Sequence, residues 1–310
     1  MLKKLTAFLT AAVMVTSVAS IPVLMSYADT NSTTEKRVME KLDRGTVAVK
    51  TNDGVYLSWR LLGTESLTNQ AFDIYRDSEK IYTTGEHDAT CYTDSKGTAD
   101  NKYTVVPKGE AIDKTEAVDV WTTNTTYKGR SVAYKDIAFK VPDGGKTPTD
   151  EEYTYTANDM SVGDLDGDGE YELVVKWDCA PRDNSQAGLT GNVYLDAYKL
   201  NGKKLWRIDL GKNIRAGAHY TQFLVYDFDM DGKAEVACKT APGSIDGVGK
   251  YVSETSSVDE IRNANDNTVS YVNQNGYILD GNEYFTAFDG ETGKTIDTIY
   301  YPIPRLDYES

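Results

Sequence analysis

The sequence predicts an all-β chain in two parts, an antiparallel sandwich followed by repeated four-strand blades of a β-propeller. Three observations carry that expectation. Short runs of alternating apolar and polar residues recur about every ten residues, with turn signals between them. A strand-plus-hairpin unit occurs twice in the second half, which is an internal repeat. Tyrosine is over-used, with 22 copies against 7 Phe and 4 Trp, and its ring suits strands and sugar-stacking surfaces alike. The 310 residues, 40% apolar and 26% charged, suffice for a buried core and about two domains.

Lys3 and Lys4 precede an uncharged apolar run from Leu5 to Leu24, and Ser26-Tyr27-Ala28 offers a small-residue cleavage site. Residues 1–28 therefore read as a signal peptide and the protein as secreted, without stable membrane association once cleaved. The other reading is an uncleaved anchor, since the run nears spanning length. From about residue 35 to 125, β-type runs follow at Thr46–Val49, Val55–Trp59, Phe72–Tyr75, Lys102–Val106 and Ala117–Trp121. Asn52-Asp53-Gly54 and Lys96-Gly97 punctuate them, and the piece resembles a fibronectin type III module. Residues 126–155, with the Pro142–Pro148 cluster of Pro, Gly and Thr, read as a linker and the first propeller strand.

Residues 156–310 hold the repeat. Tyr171–Trp177, Val193–Leu200, the turn Asn201-Gly202 and Leu205–Leu210 make the first unit, Asn-Gly being a strong hairpin signal. Glu235–Lys239, Tyr284–Phe288 and Thr295–Ile299 make the second. It contains a polar, Asn-rich insertion from about Gly243 to Gly281, read either as a functional loop or as disorder. Two blades do not close a ring of about four to eight, so the chain, which ends in Tyr308-Glu309-Ser310, is expected to be the front part of a longer protein.

The strongest chemical signal is Asp164-Leu-Asp166-Gly-Asp168-Gly-Glu170-Tyr-Glu172, matched by Asp227-Phe-Asp229-Met-Asp231-Gly-Lys233-Ala-Glu235. Alternate carboxylates converge in such a loop, the Gly after the third Asp permits a sharp turn, and Glu170 or Lys233 can offer a carbonyl. Carboxylates so clustered repel one another without a cation, and a hard oxygen set suits calcium. An acid at the ninth position, followed by β-type residues, argues against an EF-hand.

A net charge of −15, with 33 basic against 48 acidic residues, argues against a nucleic-acid partner. Against that background Lys199, Lys203, Lys204, Arg207, Lys212 and Arg215 crowd a stretch in which Asp209 is the only acid. The hairpin lysines read as edge protection. Arg215-Ala-Gly-Ala-His219-Tyr220 differs, because small residues around Arg215 and His219 leave room for a ligand; His219 reads either as structural or as functional. Cys91, Cys179 and Cys238 match no zinc spacing and read as buried apolar residues or one incidental pair.

The segments GDLDGDGEYELVVKWD, DNSQAGLTGNVYLDAYKLNGKKLWRIDLG and NIRAGAHYTQFLVYDFDMDGKAEVACKTA resemble the rhamnogalacturonan lyases of polysaccharide lyase family 11. The resemblance runs from about residue 36 to the end. It implies an eight-bladed calcium-binding propeller behind the sandwich, a pectin polysaccharide substrate (rhamnogalacturonan I), and β-elimination at galacturonate. It also implies that His219, Arg215 and Lys239 belong to the catalytic cleft and that Asp178, Asn184 and Tyr220 bind substrate. The catalytic base is then either one of the cleft residues or a residue beyond Ser310.

Overall fold

The computed structural model describes residues 43–112, 115–179 and 186–303, so the expected signal segment 1–28 and the stretch from residue 304 to Ser310 lie outside the described residues. Alternation builds the first sheet. Strands β1 (Val47–Thr51), β2 (Gly54–Ser58), β3 (Phe72–Arg76), β4 (Glu79–Thr83), β5 (Cys91–Asp94), β6 (Lys102–Pro107) and β7 (Val118–Trp121) hydrogen-bond in the order β4-β3-β6-β7-β1-β2-β5. All neighbours are antiparallel except β1 and β7. Ala48, Val55 and Leu57 meet Phe72, Ile74, Tyr103 and Val105 in one core, so the sheet curls until its halves face each other. The edge strands β4 and β5 have no counterpart in the expected runs, because a strand exposed as Glu79–Thr83 is carries no apolar alternation. Gly54 is obligatory here: its φ is 127°, and a Cβ would sit 2.1 Å from the Asp94 carbonyl oxygen.

Buried Asp94 ties this sheet together. It accepts from Arg76 Nη1 at 2.7 Å, the Tyr103 hydroxyl at 2.8 Å and the Lys96 N–H at 3.0 Å. Burial opposes its ionisation, yet these donors outweigh burial and hold the carboxyl below its ordinary value. A lowered carboxyl contributes stability that is present above the ordinary Asp value, about pH 4, and is lost as pH falls through the lowered one. Asp94→Asn is therefore expected to flatten the acid limb of a denaturation-versus-pH curve. An unchanged limb would contradict this role.

Two ribbons follow, β8 (Thr126–Tyr127) with β9 (Arg130–Ser131) and β10 (Gly145–Lys146) with β11 (Glu152–Tyr153). Next come two meanders of four antiparallel strands: β12 (Thr156–Gly163), β13 (Glu172–Asp178), β14 (Tyr194–Tyr198) and β15 (Lys204–Asp209), then β16 (Phe223–Tyr226), β17 (Glu235–Thr240), β18 (Tyr284–Phe288) and β19 (Thr295–Tyr300). The expected linker 126–155 holds the two ribbons, and the first strand of the first meander begins at Thr156. Only one of its eight residues is buried, so periodicity did not mark it. One core runs through both meanders, joining Trp177, Leu195, Trp206 and Ile208 to Val236, Tyr284 and Phe288. Trp206 Nε1 donates to the Gly290 carbonyl across the seam at 2.7 Å.

The repeat places different chemistry at equivalent buried positions. In the first meander Asp196, fully buried, accepts two bonds from Arg207 at 2.7 Å, one from Trp177 Nε1 at 3.0 Å and one from the Tyr198 hydroxyl at 2.9 Å. In the second, Thr240, Thr286 and Thr298 form a hydroxyl ladder at 2.7 and 3.0 Å, and Thr298 donates to the Val252 carbonyl at 2.8 Å. That last bond grips the insertion. The insertion is ordered, with a 3-10 turn at Val252–Thr255, a helical turn α1 (Asp259–Arg262) and a bridge between Val272 and Ile278. The three cysteines are free, and burial pushes the Cys179 and Cys238 thiols up to about 12, which makes them inert.

Candidate active-site cleft and acidic loops

Each acidic loop joins the first two strands of a meander. In the first, buried Asp164 folds the loop by accepting the N–H groups of Gly167 (2.8 Å), Asp168 (3.1 Å) and Gly169 (2.9 Å), while Glu172 accepts that of Leu165 (2.8 Å). The second repeats this, with Asp227 accepting from Asp231 and Gly232 and Glu235 from Phe228. The loops touch: the Asp164 carbonyl accepts the Ala234 N–H at 2.7 Å. Met230 occupies the left-handed region at φ 65°, where the first loop has Gly167 at 77°.

Carboxylate oxygens of Asp164, Asp166 and Glu172 lie within 4.8 Å of one another, as do those of Asp227, Asp229 and Glu235. Convergence is therefore on three acids per loop. Asp168 and Asp231 stand outside these sets, each accepting the N–H two residues on, from Glu170 and Lys233. The Lys233 ammonium pairs with Glu291 at 2.7 Å. The donor sets fit a hard cation: they are all oxygen, and Asp166 Oδ1 is buried without a hydrogen-bond partner. The loops differ in one respect. Lys199 Nζ lies 2.6 Å from Asp166, 2.7 Å from Asp168 and 3.2 Å from Glu172, whereas among the described residues no ion pair reaches Asp227, Asp229 or Glu235.

Arg215, Lys239 and Tyr220 are brought together on one cavity of about 300 Å³, with Asn213, Tyr277 and Glu283. The Arg215 guanidinium lies 4.6 Å from the Tyr277 ring centroid and donates to the Gln186 carbonyl. Lys239 pairs with Glu283 and lies 5.4 Å from the Tyr301 ring. Buried Asn213 staples the insertion to this wall, donating to the carbonyls of Pro242 (2.8 Å) and Val269 (2.9 Å) and accepting the Tyr271 N–H (2.9 Å). The insertion is thus a wall of the cleft.

Other expected residues fall elsewhere. His219 is exposed on the turn before Tyr220, preceded by Ala216-Gly217-Ala218, and is not among the cavity-lining residues. Asp178 ends β13 and does not line the cavity. Asn184 lies outside the described residues, and so does Ser310, the position beyond which the base was alternatively expected. Lys176, not singled out from the sequence, is 1% exposed and donates to Asp159 at 3.0 Å and to the Tyr220 carbonyl at 2.6 Å, fixing the loop that carries Tyr220. Its signal was available: Lys176 follows Glu172 by four residues, as Lys239 follows Glu235.

Comparison with known proteins gives the chain's relatives. Residues 134–310 match the family model described as rhamnogalacturonan lyase family 11, C-terminal domain, and residues 37–121 that of the rhamnogalacturonan I lyases beta-sheet domain. The chain is 49% identical over 272 residues to the rhamnogalacturonan endolyase YesW of Bacillus subtilis, covering 87% of this chain and 40% of that protein. It is 47% identical over 274 residues to the rhamnogalacturonan exolyase YesX of the same organism, covering 87% and 41%. The chain thus spans about two fifths of the length of these curated relatives. Among solved structures, the exotype lyase YesX superimposes with a TM-score of 0.73 at 46% identity, covering 87% of this chain and 42% of that one. A Bacillus licheniformis rhamnogalacturonan lyase superimposes with a TM-score of 0.72 at 48% identity, covering 87% and 43%.

Proposed function

The chain belongs to rhamnogalacturonan lyase family 11, and from that premise we propose that it is a secreted pectin-degrading lyase that cuts the rhamnogalacturonan I backbone at galacturonate by β-elimination. The observation that carries the proposal is the pairing of Arg215 and Lys239 on one cavity of a chain whose net charge is −15. In β-elimination a base takes the proton from the carbon bearing the carboxylate. The electron pair becomes a ring double bond as the neighbouring carbon–oxygen bond breaks, and the departing oxygen takes up a proton. That first proton is weakly acidic, so the carboxylate must be neutralised by fixed cations. Arg215, oriented by Tyr277 and the Gln186 carbonyl, fits that task. Lys239, paired with Glu283, and Tyr220 line the cavity beside it.

In this reading the seven-stranded sheet is a fibronectin type III-like module, and the two meanders are the first blades of an eight-bladed propeller. Support for blades comes from apolar residues left exposed on the second meander: Leu224, Tyr226 and Phe228 on and just after β16, Ile296, Ile299 and Tyr300 on β19. Blades bury such residues against neighbours. Asp164, Asp166 and Glu172, and Asp227, Asp229 and Glu235, would hold calcium, whose charge offsets the clustered carboxylates and pins the turns. Export is supported by the uncharged Leu5–Leu24 run after two lysines.

The test is kinetic. Arg215→Ala is expected to lower kcat/KM on rhamnogalacturonan I by about a hundredfold or more, the loss typical of one transition-state donor, with the melting temperature near that of the parent. A variant within twofold of the parent would remove Arg215 from the mechanism.

A further inference from the structure

The cleft continues into a second, larger cavity of about 600 Å³, which shares Arg215 and Ile278 with the first. Its size is that of a small-ligand site. Its chemistry is unlike the chain around it. Lys146, Lys212 and Arg215 line it, and among its described lining residues there is no Asp or Glu, in a molecule with fifteen more acids than bases. Neutral polar groups fill the gaps between the cations: Thr147, Thr190, Asn192, Ser270, Asn273 and Gln274. Tyr153 presents a ring to the same space, and that ring is seated so closely that a Cβ at Gly191 would lie 2.5 Å from it.

The cations are positioned by local contacts. Lys212 donates to the Thr268 carbonyl at 2.8 Å, which leaves its charge without a carboxylate counterion among the described residues. Lys146 is shared with Asp150 at 3.0 Å and Glu152 at 3.9 Å, and all three side chains are more than half exposed. Asp209 lies behind the wall, its carboxylate capped by the Asn192 amide at 3.0 Å and the Gly211 N–H at 2.8 Å. Asn192 thus stands between that acid and the cavity. A surface of this kind selects an anion carried on a polar, ring-shaped body.

Resting on the lyase reading, we propose that this second cavity is a subsite for another uronate of the same polysaccharide, with Lys212 and Lys146 taking its carboxylate and Tyr153 its ring face. It holds the polymer beside the reacting sugar and does not take part in bond breaking. Shared Arg215 makes the two cavities one track, so a polyanion engages both at once and gains affinity from the link between them.

Affinity electrophoresis of the full chain tests this with two immobilised polymers, native rhamnogalacturonan I and the same polymer with its carboxylates reduced to alcohols. The parent is expected to bind the native polymer more tightly. The double variant Lys146→Gln/Lys212→Gln should lose roughly three- to tenfold in affinity for the native polymer, and the loss should shrink as salt is raised. The variant should bind the reduced polymer as the parent does. Lys203→Gln, on the exposed hairpin, controls for charge alone and should bind like the parent. Equal binding of the double variant and the parent to native polymer, or an equal loss in Lys203→Gln, overturns the subsite and leaves the lyase reading standing. A parent that binds neither polymer overturns both.

Discussion

Saturating chelator is expected to lower the melting temperature of the protein by roughly 5–10 °C and excess calcium to restore it, the shift that follows when an ion at a hundredfold excess over its dissociation constant leaves the native state. The physical ground is the second loop. Burial raises the Glu235 carboxyl above its ordinary value, and the charges of Asp229, Asp231 and Asp227 add to the effect. A carboxyl raised in the folded state contributes stability that is fully present below its ordinary value and is lost as pH rises from there through the raised value. Without a cation, then, this loop weakens the fold on passing from about pH 4 towards neutrality, and calcium removes the decline. The first loop already holds the Lys199 ammonium among its acids. Asp229→Ala should therefore abolish more of the calcium-dependent shift than Asp166→Ala. A melting curve indifferent to chelator would contradict the calcium assignment, and the reverse order of the two variants would contradict the role of Lys199.

Asp196→Ala is expected to destabilise the protein by about 3–5 kcal/mol in a denaturant titration. Asp196 is fully buried in a central strand and satisfies Arg207, Trp177 and Tyr198 at once. Its removal strands a guanidinium and an indole N–H and leaves the Tyr198 hydroxyl only its longer bond to the Lys140 carbonyl, and such orphaned donors cost more than the bonds contribute. The equivalent change in the second meander, Thr286→Val, removes only a hydroxyl between two others and should cost about 1–2 kcal/mol. A loss below about 1 kcal/mol for Asp196→Ala would mean that the Arg207 head group, partly exposed, finds water without penalty.

Elements that bury one face and expose the other were legible in the sequence. The hairpin through Asn201-Gly202, with Gly202 at φ 84°, and the strands beginning at Glu172 and Glu235 fall within a residue or two of their expected positions. The strands β4, β12 and β16 were not, because exposed or edge strands lack an apolar alternation to detect. The acids of the two clusters were legible through spacing alone, but the intrusion of Lys199 was not, since it arrives from the turn after β14, more than two dozen residues from the loop. Arg215, Lys239 and Tyr220 line one cavity. His219 does not, because neither composition nor motif says which way a turn of small residues points. The ordering of the insertion depends on Asn213 and Thr298, contacts formed across 56 and 46 residues that no local pattern encodes.

The central claim is that this chain eliminates across galacturonate, and the product tests it most directly. Incubation with rhamnogalacturonan I should generate an ultraviolet-absorbing unsaturated uronate that grows with time, and the carboxyl-reduced polymer should yield none. Retention of the native polymer with no new chromophore would contradict the claim and make the cleft a binding surface alone.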